Sequence, residues 1–194
     1  MLNAAMDFDV MPDQSLESQI EAAINGGRCS EVEALLNSNP HMIRHDYGQG
    51  TWLHLAARRT NLEITNVLLQ LGCDATQYAI DRFYGTSLQV AIARGSEPIA
   101  RRLLENGAEP NVDNVIIAAI VGPKANSLDL VKLLTQYGAD IHKEYVHESL
   151  QQIMNPLSNA IAWGKKDVAE YLKSLGARVP AWFPSDMDDP SGQK

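Results

Sequence analysis

The residues whose types could carry chemistry are five histidines (His41, His45, His54, His142 and His147), two cysteines (Cys29 and Cys73) and scattered carboxylates. His41 and His45 stand i, i+4 apart, the interval that puts two rings on one helix face for a metal. They follow Pro40 in a stretch that reads as a loop, which argues against paired ligation. His142 and His147 are five apart, off that interval, with Glu144 and Glu148 beside them. A metal-dependent enzyme built on 142–148 is therefore the remote reading, and a solvated polar loop the simpler one. Neither cysteine has a histidine placed to activate it. Gly48-Gln49-Gly50 lacks the third glycine of a dinucleotide fingerprint, and Gly164-Lys165-Lys166 lacks the upstream glycine of a phosphate loop. Asp186, Asp188 and Asp189 read as a solubilising end. No nucleophile, acid/base pair, metal cluster or phosphate cradle emerges, so the expectation is no enzyme, no metal and no cofactor.

Composition narrows the class. The 194 residues are 45% apolar, enough for a continuous core in one domain or one short array. Sixteen Lys plus Arg against 24 Asp plus Glu leave a formal charge of -8, which argues against nucleic acid as partner. Two cysteines 44 positions apart form no disulfide framework and read as small buried thiols of a reducing compartment. The first ten residues lack the basic and apolar blocks of a secretory signal, and no apolar run approaches the roughly 20 residues of a membrane span. A cytoplasmic protein with no membrane contact, monomeric when free, is expected.

The elements that would position any site come from a repeat. Gly50-Thr-Trp-Leu-His-Leu-Ala-Ala57 leads to Val67-Leu-Leu-Gln-Leu-Gly-Cys-Asp74, and Gly85-Thr-Ser-Leu-Gln-Val-Ala-Ile92 leads to Leu103-Leu-Glu-Asn-Gly-Ala-Glu109. Leu53 to Leu88 and Gly72 to Gly107 are both 35 positions, so two independent anchors move together. The signal continues at Val115–Ala119 with Leu130–Asp140, and at Asn155–Gly164 with Val168–Ala177; Ile20–Gly26 with Val32–Leu36 is a looser first copy. Later glycine steps of 31 (107 to 138) and 38 (138 to 176) depart from that period; Pro123-Lys-Ala-Asn126 reads as a short insertion between the helices of the fourth copy, and a longer one, about Ile141 to Met154, precedes the fifth. Thr51 and Thr86 are placed to cap helices, Leu68-Leu69, Leu103-Leu104 and Leu133-Leu134 to carry apolar stripes, and Gly72, Gly107, Gly138 and Gly176 to end helices in the left-handed region.

On these residues the chain resembles the ankyrin repeat family, whose T-P-L-H-x-A start appears as Thr51-Trp-Leu-His-Leu-Ala56, Thr86-Ser-Leu-Gln-Val-Ala91 and Asn155-Pro-Leu-Ser-Asn-Ala160. The resemblance implies an all-α fold, an ankyrin-repeat solenoid of stacked helix-turn-helix units with short turn or hairpin loops. The array is expected over 15–182, in copies of about 15–45, 46–78, 79–111, 112–142 and 155–182 with an insertion at 143–154. It lies between a partly disordered lead, 1–14, and a disordered tail, 183–194. The resemblance also implies that His54 makes a structural hydrogen bond to a neighbouring turn.

The resemblance further implies binding through turn tips and first-helix ends. Those positions are Asp46, Tyr47, Arg58 and Arg59 in the second copy and Arg82, Phe83, Tyr84 and Arg94 in the third. Val121 follows in the fourth, and Gln151, Gln152 and Trp163 in the fifth. Four of the nine arginines of an acidic chain fall here, beside Tyr, Phe and Trp, the types enriched at interface hot spots. The competing account is that Arg58, Arg59 and Arg94 complement helix dipoles. The expectation is a non-enzymatic protein–protein interaction module gripping an acidic partner surface in its concave groove. Its role would be inhibitor or regulator, for example a bacterial immunity-type protein neutralising a toxin. A host-directed effector or adaptor is the alternative.

Overall fold

The computed structural model describes residues 15–80, 85–122, 125–147 and 152–184. Within them ten helices form five helix–turn–helix pairs. These are α1 (Leu16–Asn25) with α2 (Cys29–Ser38), α3 (Trp52–Arg58) with α4 (Leu62–Gln70), and α5 (Ser87–Ala93) with α6 (Glu97–Glu105). The last two are α7 (Val115–Val121) with α8 (Ser127–Gln136) and α9 (Pro156–Ala162) with α10 (Lys166–Ser174). The first helices pack in sequence, α1 on α3 on α5 on α7 on α9, and the second helices form a parallel row, α2 through α10. A single pair has too little interior of its own; the core is the surface that neighbours bury between them, as Ile20, Ile24, Leu36, Leu53, Leu68, Leu88, Ile99 and Leu103 are.

Helix ends repeat as closely as the core does. Past the first helices, Gly27, Gly95 and Gly164 take positive φ, and the next amide donates back to a buried alanine carbonyl: Arg28 to Ala23, Ser96 to Ala91, Lys165 to Ala160. The second helices end the same way at Gly72, Gly107, Gly138 and Gly176, where the next amide reaches Leu68, Leu103, Leu134 and Leu172. In the second pair the glycine is missing. Thr60 occupies that position at φ 52, with the Asn61 amide still bonded to the Ala56 carbonyl. A β-branched residue there is strained by about 1–2 kcal/mol, and the bond from its own hydroxyl to the Arg59 carbonyl (2.7 Å) offsets part of that. Thr60→Gly should therefore raise stability by about 0.5–1 kcal/mol after glycine's greater chain entropy is counted, measured by urea unfolding. A destabilised variant would mean that the hydroxyl bond outweighs the strain.

Helix starts rely on reciprocal caps. The Thr86 amide donates to the Gln89 side-chain oxygen (2.7 Å) while the Gln89 amide reaches the Thr86 hydroxyl (3.4 Å). Asn155 and Ser158 exchange the same pair of bonds, both 2.9 Å. The fourth pair, which lacks the T-P-L-H start, enters its first helix differently. Asp113 and Asn114 both lie at positive φ within a short 3-10 turn, Val112–Asn114, that leads into it.

Several expectations change. Pro40–Arg44, read as a loop, forms a 3-10 turn, because the proline is pre-set for the first helical position. The insertion before the fifth pair is an antiparallel hairpin, β1 (Tyr145–His147) with β2 (Gln152–Met154), and Val146 lies opposite Ile153. Its Tyr145 hydroxyl donates to the Asn159 side-chain oxygen on α9 (2.9 Å), and Met154 is buried. Phe183, assigned by composition to the tail, is buried in edge contact with Trp182, whose indole N–H donates to the Ile153 carbonyl (2.7 Å). Cys73 is buried as expected, but Cys29 is only half-buried at the start of α2. Burial pushes the Cys73 thiol up to about 12. A thiol-specific reagent at pH 8 should therefore label Cys29 in the folded protein and leave Cys73 until denaturant is added. Equal labelling rates would contradict the packing around Cys73.

Candidate partner-binding face

The first-helix row leaves one face open. On α5 the buried positions are Ser87, Leu88, Ala91 and Ile92, so Gln89, Val90 and Ala93 face out; on α7, burial of Val115, Ile116, Ala119 and Ile120 leaves Ile117, Ala118 and Val121. The residue just past each first helix shares one register position along the row: Gly26, Arg59, Arg94, Gly122 and Trp163. One position earlier come Asn25, Arg58, Ala93, Val121 and Ala162. This edge carries Arg58, Arg59, Arg94, Val121 and Trp163 of the candidate contact residues, and they differ in how they are engaged.

Tyr47 and Arg58 brace each other. The guanidinium of Arg58 donates to the Tyr47 hydroxyl, the Gln49 side-chain oxygen and the Gln49 carbonyl, each at 2.7 Å. The Tyr47 ring stacks on Trp52 at 5.3 Å with planes 3° apart, and burial raises its hydroxyl above the ordinary range. Asp46 is engaged too: its carboxylate accepts from the Gly48 and Gly50 amides and, across the repeat boundary, from the Ile80 amide (2.8 Å). These three residues shape the rim of the second pair. Arg59 is exposed and donates through Nε to the Asn25 side-chain oxygen (2.7 Å), so it spans the first two pairs. Arg94 is exposed, and its side chain has no hydrogen-bond or ion-pair partner among the described residues. Val121 is half-buried at the end of α7. Trp163 is 58% exposed, and its indole has no partner among the described residues. Gln152 is exposed on β2. Arg82, Phe83, Tyr84 and Gln151 lie outside the described residues.

The strip of exposed and half-buried apolar residues between these ends, Val90, Ala93, Ile117, Ala118, Val121 and Ala162, was not singled out from sequence apart from Val121. Aligning the copies position by position, instead of seeking conspicuous side chains, would have found it. Among the described residues no three His, Cys, Asp or Glu side chains group as a metal would require. The Glu148 position and the His147 side chain lie outside them. His45 holds Glu17 of α1 (2.7 Å), and the His142 amide donates to the Asp140 carboxylate (2.8 Å). His54 makes the expected bond: its Nε2 donates to the Gly85 carbonyl in the next turn (3.1 Å), while Nδ1 accepts from the Thr51 amide (3.1 Å).

A family model for ankyrin repeats (3 copies) matches residues 19–114, the part of the chain that holds most of the first three pairs. The chain belongs to the ankyrin repeat family. An ankyrin repeat protein of fowlpox virus (strain NVSL) is 28% identical over 167 residues, 83% of this chain and 36% of its own length. The human protein phosphatase 1 regulatory subunit 27 is 41% identical over 71 residues, 34% of this chain and 43% of its own. The chain thus spans well under half the length of either relative. Ankyrin arrays are protein–protein interaction modules, and no helix among the described residues is long and apolar enough to cross a membrane.

Proposed function

We propose that the chain is a non-enzymatic regulator that holds a partner protein along the open face of its first-helix row. The observation carrying this is the pair Arg94 and Trp163, two hot-spot residue types at one register position, exposed and without partners among the described residues. Neither side chain makes a hydrogen bond or ion pair among the described residues, and a largely exposed tryptophan on a first-helix end costs solubility unless something covers it. The regulatory role draws on the similarity to a phosphatase regulatory subunit. The face is cationic at one end on a chain of net charge -8, which fits a partner with carboxylates at the contact.

A photo-crosslinking amino acid tests the face directly. Placed at Arg94 or Trp163 in the full chain expressed in cells, it should capture one discrete protein; placed at Glu63 or Glu170 on the second helices, it should not. Capture from the second-helix positions alone would overturn the assignment.

A further inference from the structure

The register position that ends each first helix changes character along the row. It is cationic in the second and third pairs (Arg59 and Arg94) and aromatic in the fifth (Trp163). The surface between them is small and apolar: Val90 and Ala93, then Ile117, Ala118 and Val121, then Ala162. Resting on the groove reading above, we infer that the occupant is an extended, two-ended segment. One end bears carboxylates against Arg59 and Arg94; the other bears a bulky apolar side chain against Trp163.

Charge and shape both support this division. Arg59 spends only Nε on Asn25, leaving its terminal nitrogens without partners among the described residues, and Arg94 spends none. Both guanidiniums can take carboxylates in a two-point grip, which a lysine could not. No acidic side chain pairs with either among the described residues, although acids are in excess over the chain. At the other end Trp163 presents an aromatic surface beside Ala162, and the strip between offers no charge to an ionised side chain. A carboxylate placed there would be desolvated without compensation.

Thr60 is a separate observation at the cationic end. It holds a left-handed conformation where Gly27, Gly95 and Gly164 stand in other pairs, and it sets a hydroxyl and a methyl next to Arg59. Strain kept where a glycine would relieve it marks a residue retained for something other than stability. The contact beside Arg59 is that role.

Spacing follows from helix packing. Neighbouring first helices lie about 8–10 Å apart, so Arg94 and Trp163, two pairs apart, are separated by roughly 16–20 Å, about five or six extended residues. Arg59 lies one step further, about eight residues from the aromatic end.

Random peptides of about 16 residues displayed on phage, selected on the purified full chain, test this. Enriched sequences should pair an acidic cluster with a large apolar residue about five to eight positions away, in either chain direction. With the best such peptide, fluorescently labelled, Arg94→Glu should weaken binding at least tenfold and flatten its salt dependence. Trp163→Ala should weaken it at least tenfold and leave the salt dependence intact. Thr60→Gly should weaken it several-fold while the thermal midpoint does not fall. Enriched peptides without carboxylates, an unaffected Trp163→Ala, or a selection yielding no binder that these variants disturb would each overturn the inference. If crosslinks from Arg94 and Trp163 still capture a partner in that case, the groove reading survives and only its two-ended division fails; loss of both removes the reading itself.

Discussion

Trp52→Ala should destabilise the protein by about 3–5 kcal/mol, the usual cost of truncating a fully enclosed tryptophan. Trp52 is 0% exposed. Its indole N–H donates to the Met42 carbonyl at 2.8 Å, and its ring sits under Tyr47 and 5.8 Å from His45. Alanine would leave a cavity where the ring was and take one of two donors from the Met42 carbonyl, which keeps the His45 amide (3.1 Å). It would also release the Tyr47 ring, and with it the hydroxyl that accepts from Arg58. Urea unfolding of the full chain measures the loss. Trp52→Phe separates the contributions: it keeps most of the stack, removes the N–H, and should cost about 1–2 kcal/mol. A loss below about 1 kcal/mol for the alanine variant would show that the turn before α3 does not depend on this ring.

Trp52 also shows where sequence reasoning stops. It stands at the second position of the T-P-L-H start, where the family has proline, so the motif identifies the helix and says nothing of the ring. The period was legible because its marks are local: the capping threonines, the paired leucines and the glycines at positive φ each follow from one turn of chain. Departures were legible only as departures. The insertion showed itself as a glycine step of 38, but its hairpin did not, because β1 and β2 have three residues each and pair through backbone atoms. Phe183 was lost in the average of a polar segment, though one large apolar residue suffices to pin a chain to a core. For the candidate site, sequence named residues along one edge and could not rank them. Arg58, Arg59 and Arg94 look alike in composition. Only the turn geometry separates the one that braces Tyr47 and Gln49 from the one that spans to Asn25 and the one that binds neither. This alters the clean experiment: reversing Arg58 would damage the rim, whereas reversing Arg94 tests contact alone.

His54→Ala should cost about 3 kcal/mol, and His54→Gln should recover more than half of that. The imidazole is 0% exposed and lies between two copies. Nδ1 accepts from the Thr51 amide (3.1 Å) and from the Thr51 hydroxyl (2.9 Å), which fixes the proton on Nε2, where it is donated to the Gly85 carbonyl (3.1 Å). Alanine leaves the Thr51 amide buried and unpaired, at roughly 1–3 kcal/mol, empties the volume of the ring, and takes one of two donors from the Gly85 carbonyl, which keeps the Ala79 amide (2.9 Å). Glutamine is the array's own substitute. At the same register position in the third copy, Gln89 accepts from the Thr86 amide (2.7 Å) and reaches forward to the Asp113 carbonyl (3.5 Å). Because each copy touches only its neighbours, weakening this junction also lowers the cooperativity between α1–α4 and the rest. The alanine variant should therefore unfold over a broader urea range than the glutamine variant. If glutamine proved no better than alanine, the filled volume of the ring, and not its two-sided hydrogen bonding, would be what joins the second copy to the third.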